Sequence, residues 1–260
     1  MGKFDGILIM SDYDGTLAVH QHISEENCAA AEYFEREGGT FCIASGRDRH
    51  FVAELRHQIP LNGPCVTLNG TVICSPDGGT VYEEHVFPIE AAREIALRVL
   101  EACPEANHIR HYGSADWHEL EAAAQADEFY RGLKGPIYKL ITVVPSELSD
   151  EYKSRIEALC GDGYIIARSW IRGIEIQPAG TGKGDAIEKL KELSGGKIHT
   201  VIAMGDFEND IGMLKAADVG YAVGNATDAV KTAADRITVP ASDHALAAVV
   251  RELDTELNGI

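Results

Sequence analysis

Basic residues are scarce in this chain: 23 Lys and Arg stand against 41 Asp and Glu, a net charge of −18 over 260 residues. No basic stripe exists to neutralise nucleic-acid phosphates, and an acidic surface repels anionic membranes, so neither partner is expected. No apolar run reaches transmembrane length. The first one ends at Met10 and meets Asp12, too early for a secretory segment, and Gly6 breaks a myristoylation pattern. The six cysteines contain no Cys-x-x-Cys pair, and a chain of this size does not need disulfides, so all six are expected as reduced, mostly structural thiols. A cytoplasmic protein follows as the expectation. There is no internal repeat and no low-complexity linker.

Several nucleotide and metal signatures are missing too. No Gly-x-Gly-x-x-Gly follows the first strand-like run. Gly180-Thr181-Gly182-Lys183-Gly184 is not a Walker A loop, because Gly184 replaces the hydroxyl residue after the lysine. His20 and His22, and His108 and His111, are close in sequence but lack a third ligand at zinc spacing. Surface or pocket-lining roles are expected for them, with His20 and His22 near a site entrance.

What is present is 45% apolar and 25% charged, an ordinary globular composition. The opening alternates strands (7–10, 40–44, 65–68) with helices (Ser24 as cap through about 37, then 48–58). Asn69-Gly70 and Asp77-Gly78-Gly79 mark turns of a hairpin or meander. The middle reads as helix 89–102, a second helical stretch 115–133 rich in Ala and Glu, a β-rich run 137–144, helix 149–159 and extended runs from 164 to 177. After Gly180 the first grammar returns, with helix 183–193, strand 200–204, a loop 205–210 and helix to 217, strand 219–223, and helices 228–234 and 245–253. The organisation expected is an α/β fold, a Rossmann-like parallel-sheet core (1–82 and 181–260) with an inserted α/β domain (83–180).

The chemistry gathers at strand ends. Met10-Ser11-Asp12-Tyr13-Asp14-Gly15-Thr16-Leu17 sends two carboxylates off the first strand together, and Gly15 allows a tight turn. Ser45 and Asp206 each follow another strand, and Lys183 opens the helix after the insert. In open α/β sheets such positions converge beyond the carboxyl ends of the strands. Two carboxylates, a hydroxyl at a helix entrance, an ammonium and the acidic loop Gly205-Asp206-Phe207-Glu208-Asn209-Asp210 suit phosphoryl transfer on Mg²⁺. Taken singly, each has a plainer explanation: a polar turn, an N-cap at Ser45, a solvated lysine, a cap at Asp210.

Asp12-Tyr13-Asp14-Gly15-Thr16, Ser45, Lys183 and Gly205-Asp206…Asp210 resemble, in order, the four motifs of the haloacid dehalogenase superfamily of phosphohydrolases. Ala44-Ser45-Gly46-Arg47 and Leu68-Asn69-Gly70 resemble its Cof-type branch, and the insert's position implies a type IIB cap. The resemblance implies that Asp12 attacks phosphorus to give an aspartyl-phosphate, and that Asp14 protonates the leaving oxygen and then activates water. It implies Mg²⁺ held by Asp12, the Asp14 carbonyl and Asp206 with support from Asp210. Ser45, Gly46, Lys183 and Asn209 would bind the phosphoryl or substrate. The expected partner is a small phosphorylated metabolite such as a sugar phosphate, handled by a monomer or homodimer. A phosphomutase or phosphotransferase, or a non-catalytic phosphate-metabolite binder, is the alternative. Trp117, Trp170, Arg110 and Arg172 are candidate substrate contacts within the insert.

Overall fold

The computed structural model describes residues 2–106, 108–114 and 116–258. Its contacts divide the chain into two units, Met1–Glu83 with Lys183–Ile260, and Glu84–Gly182.

The first unit contains β1 (Ile7–Ser11), α1 (Glu25–Arg36), β2 (Thr40–Ile43), α2 (Arg49–Leu55), β3 (Cys65–Thr67), β4 (Val72–Cys74) and β5 (Val81–Glu84), which reaches the boundary. The second holds α3 (Ile89–Ala102), β6 (Ile109–Tyr112), β7 (Trp117–Leu120), α4 (Ala126–Gly132), β8 (Lys139–Val143), α5 (Ser149–Cys160), β9 (Tyr164–Trp170) and β10 (Gly173–Pro178). The first unit resumes with α6 (Ala186–Leu193), β11 (Thr200–Gly205), α7 (Ile211–Ala216), β12 (Val219–Ala222), α8 (Asp228–Ala233), β13 (Arg236–Ile237) and α9 (Ala245–Asn258).

The sheet of the first unit has the order β13-β12-β11-β1-β2. Every pairing in it is parallel. Its central strands are buried on both faces, which is why Ile7-Leu8-Ile9-Met10 and Val201-Ile202-Ala203-Met204 read as continuous apolar runs rather than alternating ones. Ser24 caps α1 by accepting from the Asn27 N–H at 3.2 Å, and α1 packs on α9. The third expected strand does not join this sheet as a full member. β3 pairs antiparallel with β4 in a separate sheet ordered β3-β4-β5, and a single parallel bridge, Ala44 to Val66, links it to the chain after β2. The six thiols are unpaired.

The second unit is a five-stranded sheet, β7-β6-β8-β10-β9, with all pairings antiparallel. Ile109, Leu140, Ile174 and Ile176 join the helix residues Ile95, Val99, Tyr152 and Ile156 in its core. The opposite parity places Arg110, Tyr112, Lys139, Glu175 and Gln177 on the other face. There, Lys139 Nζ donates to Glu175 Oε2 at 2.7 Å.

The helix expected over 115–133 is corrected. Ala115 lies outside the described residues; Trp117–Leu120 is strand β7, paired with β6, and helix α4 starts only at Ala126. Cross-strand pairing of Trp117 with Tyr112 and of Leu120 with Ile109 overrides the helical leaning of the Ala- and Glu-rich stretch. His111, expected at a surface, is instead core: it is 1% exposed, and its Nε2 lies 2.6 Å from the Tyr130 hydroxyl. Burial lowers its pKa from 6.5 to about 4. The unfolded chain therefore binds a proton that the folded chain refuses. Stability conferred by neutral His111 is complete above pH 6.5 and is lost as pH falls towards 4, by about 3 kcal/mol in all. Both tryptophans, Trp117 and Trp170, lie in this unit, so their fluorescence reports its melting. We expect the midpoint to fall between pH 7 and pH 5 in the parent and much less in His111→Gln; equal falls would refute the assignment.

A candidate phosphoryl-transfer site

β1 and β11 are neighbours in register, Ser11 beside Met204, so the chain leaves both strands at one edge. The Asp12 N–H donates to the Met204 carbonyl at 2.9 Å, which carries the pairing one residue further. Gly15 has φ +84°, and a Cβ there would meet the Asp206 carboxylate at 2.5 Å, so only glycine permits this turn. At the end of β11, a Cβ on Gly205 would meet the Asp210 side chain at 2.4 Å. Gly15 thus lets the first acidic loop close on the second, and Gly205 lets the second fold back on itself.

Carboxylate oxygens of Asp12, Asp206 and Asp210 lie within 4.8 Å of one another. Lys183 Nζ donates to Asp12 Oδ1 and to Asp210 Oδ1, both at 2.6 Å, and its side chain is fully buried. Asp210 is fully committed: its Oδ2 accepts from the Asp206 N–H at 2.9 Å and the Phe207 N–H at 3.2 Å. It braces the loop and caps the short 3₁₀ turn Glu208–Asp210. Thr16 Oγ1 donates to Asp206 Oδ1 at 3.1 Å. Lys183 is not in a helix, as the sequence reading had it. It precedes α6, which starts at Ala186, and its charge is balanced by Asp12 and Asp210.

The electrostatics follow from burial. Burial raises the Asp12 carboxyl well above its ordinary value; Lys183 opposes this, and Asp210 and Asp206 reinforce it. Burial and then Asp210 push Asp206 up to about 7, against the pull of Lys183 and Thr16. Burial pulls the Lys183 ammonium down, but Asp12 and Asp210 together drive it further up, so it stays charged. With all groups ionised, three carboxylates face one ammonium, a sum of −3 and +1, or −2. An all-oxygen donor set with that excess charge fits a hard divalent cation.

Ser45, 1% exposed, is held from both sides. Its N–H donates to the Val66 carbonyl at 2.9 Å, its carbonyl accepts from the Asn69 N–H at 2.9 Å, and its Oγ accepts from the Arg47 N–H at 3.2 Å. Gly46 lies between Ser45 and Arg47 in this partly buried turn. Asn209 Nδ2 donates to Asn69 Oδ1 at 3.2 Å, tying the 205–210 loop to the loop after β3. Asn69 sits in a left-handed stretch, with φ +49° at Leu68, +59° at Asn69 and +111° at Gly70.

Asp14 stands apart from the buried cluster. Its side chain is 55% exposed and meets the Arg47 guanidinium through two hydrogen bonds, at 2.8 and 2.7 Å.

The structure therefore draws buried Asp12, Lys183 and Asp210 together with half-buried Asp206, links Ser45 and Asn209 through Asn69, and directs Asp14 to Arg47. Thr16, Arg47, Asn69 and Asn225 were not singled out as site residues from the sequence. Asn225 Nδ2 donates to the Gly15 carbonyl, and its Oδ1 accepts from the Ala241 N–H, both at 2.8 Å. Asn69 was visible only as half of an Asn-Gly turn, and Arg47 only as a letter of its motif. His20 lines a cleft of about 420 Å³ with Gly15 and Asn225; His22 lines a different one. In the insert, Arg110 stacks 4.6 Å from the centre of the exposed Trp117 ring, and Arg172 Nε donates to the Val144 carbonyl.

The sequence profile of the haloacid dehalogenase-like hydrolases matches residues 9–250. The chain is 26% identical to the 5-amino-6-(5-phospho-D-ribitylamino)uracil phosphatase YitU of Bacillus subtilis, covering 94% of this chain and 96% of that one. It is 26% identical to the pyridoxal phosphate phosphatase YbhA of Escherichia coli, covering 88% and 91%. Its fold matches the solved structure of a HAD subclass IIB sugar phosphatase with TM-score 0.78 at 19% identity, covering 95% and 98%. No helix among the described residues is long and apolar enough to cross a membrane.

Proposed function

We propose that this chain, which belongs to the haloacid dehalogenase-like hydrolase family and is one of its Cof-type phosphoric monoester hydrolases, hydrolyses small phosphomonoesters with Mg²⁺ through an aspartyl-phosphate on Asp12. The observation that carries this reading is the cluster of Asp12 and Asp206, just past the ends of adjacent parallel strands, with buried Lys183 and Asp210. Binding alone needs no such carboxylate at the edge of a cationic contact.

An Asp12 oxygen attacks phosphorus, and the bond from phosphorus to the leaving oxygen breaks while Asp14 gives that oxygen a proton. Water then attacks the aspartyl-phosphate, Asp14 takes back a proton, and phosphate departs with Asp12 restored. Lys183 offsets charge beside the nucleophile, and Ser45, Gly46 and Asn209 hold the phosphoryl oxygens. Asp12, the Asp14 carbonyl and Asp206 would hold Mg²⁺, with Asp210 bracing their loop. The cation would neutralise the charge excess and polarise the phosphoryl group.

The insert selects the substrate in this reading. Its helix-free sheet face bears Arg110, Tyr112, Lys139, Glu175 and Gln177, which suits a polar sugar or heterocyclic phosphate. We assign the enzyme to the cytoplasm, as a monomer or homodimer; its six free thiols support a reducing compartment.

Metal binding must displace protons from Asp206, whose pKa stands at about 7. In the metal-free chain the raised value means stability is greatest below the ordinary carboxylate range and is lost as pH rises through 7. Mg²⁺ should therefore raise the melting temperature more at pH 8 than at pH 5.5, and EDTA should silence turnover until Mg²⁺ returns. An Mg²⁺ shift independent of pH, or full activity after exhaustive chelation, would overturn the assignment.

Asp14→Asn tests the two-step chemistry. A nitrophenolate leaves without needing a proton, whereas a sugar alkoxide needs one, and a positioned donor is worth about 10²–10⁴ in rate. With nitrophenyl phosphate the variant should release one equivalent in a burst and then nearly stop; with a sugar phosphate the burst should be absent. Equal damage to both first steps would remove Asp14 from acid–base duty. Transfer of phosphate to an added alcohol without release to water would indicate a mutase.

A further inference from the structure

We infer that Arg47 is the positioning residue of Asp14, its guanidinium fork aiming the proton-transfer carboxylate during hydrolysis of the phosphoenzyme; this rests on the acid–base role proposed for Asp14. The contact has two donors. Nε meets Asp14 Oδ2 at 2.8 Å and a terminal nitrogen meets Oδ1 at 2.7 Å. A fork fixes the plane and direction of a carboxylate, which a single contact or a lysine cannot do.

Arg47 itself is held rigidly. Its guanidinium lies 4.5 Å from the Phe51 ring centre and 5.2 Å from that of Tyr13. Those rings meet edge to face at 4.7 Å, and Tyr13 is 1% exposed. The Arg47 N–H donates to Ser45 Oγ at 3.2 Å, and its carbonyl accepts from the Leu68 N–H at 2.9 Å. The platform Tyr13 is the residue between Asp12 and Asp14, so the nucleophile, the platform and the aimed carboxylate share one rigid turn.

Stability does not explain the pair. Asp14 is more than half exposed and Arg47 about one-third, and ion pairs in that setting contribute little. Orientation does explain it, since an exposed aspartate would otherwise sample several rotamers. The fork also matches the chemistry in time. It fits the deprotonated carboxylate that exists between the two half-reactions, the form that must accept a proton from water. Proton delivery to the leaving group requires the pair to part first. The contact therefore serves the second step.

The test compares Arg47→Ala, Arg47→Lys, Asp14→Asn and the double variant Asp14→Asn/Arg47→Ala in the full chain with Mg²⁺. Nitrophenyl phosphate in rapid quench and inhibition by inorganic phosphate are the measurements. Arg47→Ala should keep its burst but lose on the order of 10² in steady-state rate, the cost of a misaimed catalytic group. Arg47→Lys, which keeps the charge and the fold but not the fork, should fall between Arg47→Ala and the parent. The double variant should be no slower than Asp14→Asn, because residues acting as one unit are not additive. The inhibition constant for phosphate should not move.

Losses that multiply in the double variant, or phosphate inhibition weakened in step with turnover, would overturn the inference and make Arg47 a phosphate ligand. Parent-like rates in both Arg47 variants would also overturn it. In those cases a crippled Asp14→Asn leaves the acid–base reading intact. A fully active Asp14→Asn would defeat both.

Discussion

Asp12→Asn should stop phosphate release while the protein melts at or above the parent's temperature. The side chain is 6% exposed, is hydrogen-bonded to Lys183 and lies within 4.8 Å of the other two carboxylates. Asparagine has nearly the same shape but cannot attack phosphorus, so turnover should fall by about 10⁴-fold or more, as for other nucleophile deletions. Stability moves the other way for a physical reason. Burial already raises the Asp12 carboxyl well above its ordinary value, so its charge is a cost to the metal-free fold. Lys183 retains Asp210 as a partner at 2.6 Å. Catalytic carboxylates of this kind commonly exchange stability for activity. Melting curves, with and without EDTA, and single-turnover phosphate release would check both halves. Residual turnover near the parent level would remove Asp12 from the nucleophile's place.

Lys183→Met should be the more damaging change to the fold. The ammonium is the one cation at hydrogen-bond distance from both Asp12 and Asp210 among the described residues. Methionine fills similar space but leaves buried carboxylates facing each other without compensation. Breaking a buried pair from one side typically costs about 3–5 kcal/mol. The carboxylates can avoid that cost by taking up protons, so the loss should be largest at high pH and shrink as pH falls. Raised carboxylate pKa values in the folded variant give that sign: stability is present at low pH and lost as pH rises. Turnover should fall by roughly 10³-fold, the scale seen when an electrostatic donor beside a reacting centre is deleted. Thermal melts at pH 5 and pH 8 beside phosphate-release rates make the comparison. A variant with parent-like melting at pH 8 would mean that Lys183 is not the counter-charge of this group.

The resemblance of the motifs reached the family, and the chain's grammar reached the core, for identifiable reasons. Parallel strands buried on both faces must be runs of apolar residues, so β1 and β11 stand out in the sequence as Ile7-Leu8-Ile9-Met10 and Val201-Ile202-Ala203-Met204. Residues that leave such strands converge by topology, which is why Asp12 and Asp206 could be paired across 194 positions of sequence separation, 206 less 12. The insert was less legible. Trp117-His118-Glu119-Leu120 has no strong period, and its flanking alanines favour a helix; only the partner β6 makes it a strand. His111 alternates with Arg110 and Tyr112, but nothing in that alternation says which face receives Tyr130 and Phe129.

The sequence by itself determined the parallel core, the strand-end positions of Asp12, Ser45 and Asp206, and a phosphoryl-transfer set of residue types, because each is written in local periodicity or in a short motif. The tertiary structure alone decided how those residues are wired. Lys183 comes to bridge Asp12 and Asp210, Asn69 to grip Asn209, and Arg47 to hold Asp14 in a two-point fork, through contacts spanning 27 to 171 residues of chain. Such contacts carry no local signature. Any polar side chain of suitable reach satisfies the spacing in sequence, and only packing fixes which one is buried beside which.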